Sequence, residues 1–128
     1  MTKRIIKTSR APVPVASYSQ AVQAGNLVFC SGQIPLDPET KALVEGGIAA
    51  QTVRVLENLG AVLAEVGLDH GDIVKCTVFL ASMADFPEFD AAYAPFFPEG
   101  APARATVAVA GLPRGARIEI DAIAMLRT

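Results

Sequence analysis

The feature that most constrains the fold is an apolar stripe with helical spacing in the middle of the chain. From Ile48 to Val66, apolar or small residues recur at steps of three and four, while most polar residues fall between them. This period predicts an amphipathic helix over residues 48–66 with one face on a core. Gly67 follows directly and fits the left-handed position that closes many helices. The stripe consists of Ile48, Thr52, Val55, Leu56, Leu59, Val62, Leu63 and Val66.

A second, shorter helix is predicted after residue 85. Phe86, Phe89, Tyr93 and Phe96 follow helical spacing, which is typical of a core-packing stripe. Asp85 is the candidate N-cap, Pro87 suits the first turn, and Pro95 and Pro98 end the pattern.

The remaining regular segments have the pattern of strands. Gly25-Asn26 predicts the turn of a hairpin between the second and third of them. In the fourth, Val74, Cys76, Val78 and Leu80 are expected on one face, and both faces are expected to be covered. The order is three strands, a helix, a strand, a helix and two strands, which predicts an α+β fold: a single mixed β-sheet with two helices on one face, in one domain over residues 1–128. The predicted strands are 4–7, 20–24, 27–31, 72–81, 103–110 and 117–125.

Composition limits the partners. Of the 128 residues, 52% are hydrophobic, which is more than so small a domain buries and therefore favours a homo-oligomer over an Ala- and Val-rich monomer. The net charge of −2 gives no basic surface for nucleic acid. No apolar run approaches the roughly 18 residues of a membrane span, and we do not expect the short basic start to be a signal peptide, because no apolar run of suitable length follows it. We therefore expect a soluble, cytoplasmic protein without nucleic-acid or membrane partners.

The cysteines and the histidine argue against several kinds of site. Cys30 and Cys76 lie in apolar strand-like runs and are expected to be buried, free thiols. His70, the one histidine, lies in a predicted surface turn, and no Cys or His pair has ligand spacing. We expect neither a metal site nor a serine-histidine-aspartate triad.

Two charges interrupt apolar strands and are candidate functional residues. Arg104 lies among small and apolar neighbours, and Glu119 lies in an equally apolar strand apart from Asp121. An arginine in this setting forks two hydrogen bonds onto a carboxylate, and desolvation raises the pKa of a partly buried glutamate toward the range of a general acid or base. Pairing of the two residues with each other, or exposure of each on an edge strand, stays open at this point.

Around these residues the chain resembles the Rid (RidA/YjgF) family of enamine and imine deaminases. The resemblance covers roughly residues 5–127 and depends on segments that occur in the family's order. They are Tyr18-Ser19-Gln20-Ala21-Val22, Ser31-Gly32-Gln33-Ile34-Pro35, Gly71-Asp72-Ile73-Val74-Lys75, Thr77-Val78-Phe79, residues 86–97, Pro102-Ala103-Arg104, Leu112-Pro113 and residues 118–124.

The resemblance implies a chorismate-mutase-like fold that assembles as a homotrimer, with ligand sites between protomers. It implies hydrolysis of 2-aminoacrylate or 2-iminopropanoate to a 2-keto acid and ammonia, without cofactor or metal. By position, Arg104 matches the arginine that holds the substrate carboxylate, and Glu119 matches the acid that handles the attacking water. Tyr18, Ser31 and Gly32 match positions that line the pocket.

Some residues depart from the family pattern. Ala16 and Ser17 replace a glycine and a proline before Tyr18, Thr106 stands where many members have cysteine, and Asp90 stands where the common deaminases have asparagine. An ionised Asp90 repels a substrate carboxylate, selects another substrate, pairs with a basic group or points away; these alternatives stay open. Two other functions also stay open, namely deamination of a larger unsaturated amino acid such as 2-aminomuconate and a non-catalytic trimer that binds small carboxylates.

Overall fold

A six-stranded mixed sheet forms the centre of the computed structural model, which describes residues 2–127. The strand order is β1-β2-β3-β6-β4-β5, and every neighbouring pair is antiparallel except β4 and β5, which are parallel. The predicted α+β fold with a single mixed sheet is confirmed. The strands are β1 (Arg4–Ile6), β2 (Ala21–Ala24), β3 (Leu27–Gln33), β4 (Ile73–Leu80), β5 (Ala103–Ala108) and β6 (Ile118–Met125).

Two helices pack on one face of this sheet, as the apolar stripes predicted. Helix α1 (Ile48–Ala64) buries its stripe against β6, β3 and the second helix, α2 (Phe86–Tyr93). Gly67 has a φ of +75°, the left-handed conformation expected beyond the helix end. Asp85 makes no side-chain cap to α2, because its carboxylate accepts a hydrogen bond of 2.7 Å from Arg117. Asp85 therefore occupies the predicted N-cap position of α2, but its carboxylate binds Arg117 and does not cap the helix.

Strand β4 departs from simple alternation at its start. The register between β4 and β6 shifts between Ile73 and Lys75, which is a β-bulge. Ile73 is consequently buried with Cys76, whereas Val74 is 42% exposed instead of sharing their face. Beyond the bulge, Val78 and Leu80 are buried as predicted.

The side of the sheet that faces away from the helices is only partly covered. Thr77 and Phe79 of β4 are half-buried there, and no helix among residues 2–127 covers them. Phe29 and Val107 are exposed, and alternation along their strands places them on the same side. The expectation that β4 is covered on both faces is not met within one chain, and apolar surface of this kind is typical of association surfaces.

The cysteines and His70 have structural positions. Cys30 and Cys76 are buried and free, as predicted, and burial raises the pKa of the Cys30 thiol to about 12. His70 is half-buried and not a surface residue: its ring packs against Gly60, and Nε2–H donates to the Leu56 carbonyl at 2.7 Å. Among residues 2–127, no helix is long and apolar enough to cross a membrane.

The buried Gln20 side chain fixes the segment between β1 and β2. Its Nε2 donates to the carbonyl oxygens of Thr8, Ala11 and Pro12 at 3.0, 3.3 and 2.9 Å, and its Oε1 accepts from the Thr8 N–H at 2.7 Å. Because Gln20 is 1% exposed, water does not replace these bonds.

We expect Gln20→Leu to lower the free energy of unfolding by about 1–3 kcal/mol, since buried backbone groups of the 8–12 segment lose their partner. Chemical denaturation at a fixed protein concentration measures this change. Gln23→Leu is the matched control, because the Gln23 amide makes one exposed hydrogen bond to Gly25. Equal effects of the two substitutions would show that the Gln20 network does not hold this segment.

Candidate functional site

A cavity of about 580 Å³ brings together four of the predicted site residues. Tyr18, Ser31, Gly32 and Glu119 all line it, together with apolar residues of the 12–16 and 34–36 segments. We call this the Glu119 cavity. Its walls come from the loop after β1, from the end of β3, from β6 and from the loop before β6.

An irregularity in β3 shapes this cavity. The register between β3 and β6 shifts between Cys30 and Gln33, so that Ser31 and Gly32 form a bulge. The Ser31 hydroxyl donates to the Ser19 carbonyl at 2.6 Å, which ties the bulge to the segment that carries Tyr18. A Cβ atom on Gly32 would overlap the Glu119 carboxylate, so only glycine permits this close approach.

The Glu119 carboxyl is held in conditions that favour its protonated form. It is half-buried, and no hydrogen bond to its carboxylate is found among residues 2–127. Burial raises the pKa of Glu119, and the negative charge of Asp121 raises it further. A carboxyl in this setting exchanges protons closer to neutral pH than a solvated glutamate does.

Arg104 lies in a second cavity, of about 460 Å³, with Asp90 and Tyr93 among its lining residues. We call this the Arg104 cavity. The guanidinium carbon of Arg104 lies 4.8 Å from the ring centroid of Tyr93, 5.1 Å from that of Phe89 and 5.5 Å from that of Phe86. These aromatic faces stabilise the cation and fix its direction.

Asp90 is the ion-pair partner of Arg104. Nη1 of Arg104 donates to Oδ1 of Asp90 at 2.8 Å, and the two side chains are 21% and 47% exposed. Of the alternatives left open for Asp90, pairing with a basic group is the one observed. The Arg104 guanidinium therefore already binds the Asp90 carboxylate through Nη1, and its other N–H groups remain available to a ligand.

Thr106 lies two residues beyond Arg104 on β5 and is not among the residues that line either cavity. Its hydroxyl is buried and has no hydrogen-bond partner among residues 2–127, and the same holds for the Tyr93 hydroxyl. Burial raises the pKa of Tyr93, and the neighbouring Cys76 adds to this rise, so this phenol stays protonated.

Within one chain, Arg104 and Glu119 point to opposite sides of the sheet. Arg104 is paired with Cys76 on β4 and contacts α2, whereas Glu119 is paired with Phe79, on the side away from the helices. One strand, β4, lies between β5 and β6, and the two residues are offset by three positions along the strands, so ordinary strand spacing places their Cα atoms roughly 14 Å apart. The two residues do not pair with each other, and one protomer does not unite them in a single site.

Comparison with known proteins identifies the family. The sequence profile described as Endoribonuclease L-PSP matches residues 8–126. The chain belongs to the Rid (RidA/YjgF) family. It is 50% identical to protein DfrA of Myxococcus xanthus over 127 residues, which cover 98% of this chain and 97% of DfrA.

Other relatives have more informative names. The 2-iminobutanoate/2-iminopropanoate deaminase of Mus musculus is 44% identical, and the match covers 96% of this chain and 91% of the mouse protein. The crystal structure of E. coli TdcF with bound serine is 41% identical, with a TM-score of 0.92 over 98% of this chain and 99% of TdcF. The Rid family thus includes proteins named as deaminases, together with members whose names state no activity.

The structure adds two residues to the Glu119 cavity of this Rid protein that sequence reasoning missed. Lys41 and Arg114 both line it. Their exposed positions in turns carry no periodic signal, so the sequence pattern did not single them out. The nearest signal for Arg114 is the breaker-rich loop Gly111-Leu112-Pro113-Arg114-Gly115 that contains it.

Proposed function

We propose that this Rid protein is a hydrolytic deaminase of 2-imino acids whose site is completed by a second copy of the chain. One observation carries the proposal: an anchored arginine and a half-buried glutamate with a raised pKa line two separate cavities of one chain. Each cavity holds half of the groups that hydrolysis of a 2-imino acid requires. The names of the deaminase relatives support the reaction class.

The reaction needs positioning more than covalent help from the protein. Arg104 of one copy holds the substrate carboxylate, and this fixes the electrophilic imine carbon near the Glu119 cavity of the other copy. Glu119 takes a proton from water as the water oxygen adds to the carbon of the protonated imine, and a neutral carbinolamine forms. Glu119 then gives this proton to the nitrogen, the C–N bond breaks and ammonia leaves, while the hydroxyl group loses its proton to Glu119 and becomes the C=O of the keto acid.

The uncovered side of the sheet, which faces away from the helices, supports a composite site formed by more than one copy. That side carries Phe29, Phe79 and Val107 as uncovered apolar surface, together with Glu119. A homotrimer, as the family resemblance implies, buries this surface and brings the Arg104 cavity of one copy to the Glu119 cavity of the next.

The test measures keto-acid release when 2-iminobutanoate is generated in situ by an amino-acid oxidase. The wild type is expected to accelerate release, and Arg104→Ala to lower kcat/KM by about 100-fold, the effect of losing a charge-assisted contact worth about 3 kcal/mol. Arg127→Ala is the control, since it also removes an ion-paired arginine, at the end of β6. If the protein binds 2-oxobutanoate tightly but does not accelerate keto-acid release, the proposed deaminase function is wrong and the protein is a carboxylate-binding protein.

The pH dependence follows from the raised pKa of Glu119. A general base acts in its ionised form, so kcat/KM is lost as pH falls through the pKa of Glu119 in the folded protein. Because burial and Asp121 raise that pKa, this acid limb is expected above the ordinary value of 4.5 for glutamate. The measurement is kcat/KM against pH with spontaneous hydrolysis subtracted; Glu119→Gln should remove the limb, and an unchanged limb would assign it to another group.

Asp90 is expected to weaken the binding of substrates with a single carboxylate. Its ion pair with Arg104 is partly exposed, so its net contribution is about 1 kcal/mol and its removal should lower KM about fivefold, with kcat unchanged. Asp90→Asn tests this against Asp85→Asn, which neutralises another arginine-paired aspartate close to the start of α2. A rise in KM for Asp90→Asn would instead make Asp90 a favourable substrate contact.

A further inference from the structure

The Glu119 cavity contains two cations to which the proposed reaction assigns no task. Lys41 comes from the turn after β3, and Arg114 comes from the turn before β6. The two turns meet, since Nη2 of Arg114 donates to the Lys41 carbonyl at 3.3 Å. Residues far apart in sequence thus place two positive charges at one wall of the cavity.

The backbone holds both residues in a conformation that glycine adopts more easily. Lys41 and Arg114 each have a φ of 62°, and no other non-glycine residue among residues 2–127 has a positive φ. The Lys41 N–H donates to the Asp37 carbonyl at 2.8 Å, and the Asp37 N–H donates to the Ala42 carbonyl at 2.9 Å, so this turn is closely held. Long cationic side chains at positions that favour glycine indicate a task for the side chain.

Neither cation has a carboxylate partner. Within residues 2–127, no Asp or Glu oxygen lies within 4.0 Å of the Lys41 or Arg114 side-chain nitrogens, whereas Arg54, Arg104, Arg117 and Arg127 are all paired. Glu119 lines the same cavity, yet it makes no ion pair with either. The two charges are therefore free to meet an anionic group of a ligand.

The size of the cavity points the same way. In one copy its volume is about 580 Å³, within the range of about 300–1,000 Å³ that is typical of ligand pockets, and the second copy of the proposed site takes up part of this space. The volume in one copy exceeds the needs of a three- or four-carbon imino acid, so a longer substrate fits where the second copy leaves the side of Lys41 and Arg114 open.

We propose that the preferred ligands are dicarboxylic: 2-imino acids, and their 2-keto acid products, with a second carboxylate at the far end of the chain. Lys41 and Arg114 bind this distal carboxylate, while Arg104 of a second copy holds the carboxylate next to the reacting carbon. The inference rests on the proposed function for the chemistry at the reacting carbon, but its specificity is measurable by binding alone.

The experiment compares the binding of 2-oxoglutarate and 2-oxopentanoate by isothermal titration calorimetry. Both have five carbons and a 2-keto acid head, and they differ in the carboxylate or methyl group at the far end. The wild type should bind 2-oxoglutarate about tenfold more tightly, as expected for two exposed cations, and the difference should shrink at high salt. Lys41→Gln/Arg114→Gln should bind the two compounds equally, with the affinity for 2-oxopentanoate unchanged.

Lys3→Gln/Arg4→Gln is the matched control, because it removes the same charge from exposed positions outside the cavity. Lys41→Gly is a second variant: it keeps the left-handed backbone while removing the cation, and it should reduce the preference if the double variant does not fold. Equal binding of the two keto acids by the wild type, or a preference that persists in folded variants, would overturn the proposal.

Measuring the turnover of 2-imino acids distinguishes failure of the proposed dicarboxylate preference from failure of the proposed deaminase function. If monocarboxylic imines are hydrolysed but no preference for 2-oxoglutarate exists, the proposed role of Lys41 and Arg114 is wrong and the proposed deaminase function holds. If the preference exists without hydrolysis of any 2-imino acid, the proposed role of Lys41 and Arg114 holds and the proposed deaminase function is wrong.

Discussion

The alternation of side chains along β4 and its neighbours governs what one copy of this chain can do. Arg104 lies on the same face of the sheet as Cys76 and packs against the aromatic residues of α2. Glu119 lies on the opposite face with Phe79. No rotamer change moves a side chain through a hydrogen-bonded sheet. The separation of the two charges is therefore a consequence of strand register, and only another copy can bring an Arg104 to a Glu119.

Much of the fold followed from local periodicity, because each element has a clear pattern. The stripe of α1 and the alternation of β6 each identify one buried face, and the burial of these elements agrees with the pattern. The parallel pairing of β4 with β5 and the insertion of β6 between β3 and β4 depend on long-range hydrogen bonds, which no local pattern encodes. Periodicity thus predicted the layers better than the order within them.

The errors lie where the backbone leaves regular geometry. The bulge that exposes Val74 lies in a strand with apolar residues on both faces, so the sequence pattern does not reveal it. The bulge at Ser31 and Gly32 leaves no sign in the pattern either. Arg104 and Glu119 were recognisable as charges in apolar strands, but their placement on opposite faces needed the register. Asp90 reaches Arg104 across 14 positions of sequence, and only the packing of α2 on β5 defines that pair.

The arrangement of charge makes the two cavities complementary. In the Arg104 cavity, the cation is already balanced by Asp90, so an incoming carboxylate must compete for it. In the Glu119 cavity, two cations without an ion-pair partner among residues 2–127 accompany the Glu119 carboxyl, whose pKa is raised by burial. A ligand with one carboxylate meets the occupied arginine alone, whereas a ligand with two carboxylates also gains the unpaired cations. This distribution of charge is the physical basis of the proposed preference for dianionic ligands, in a family that also includes a relative named for short monocarboxylic imines.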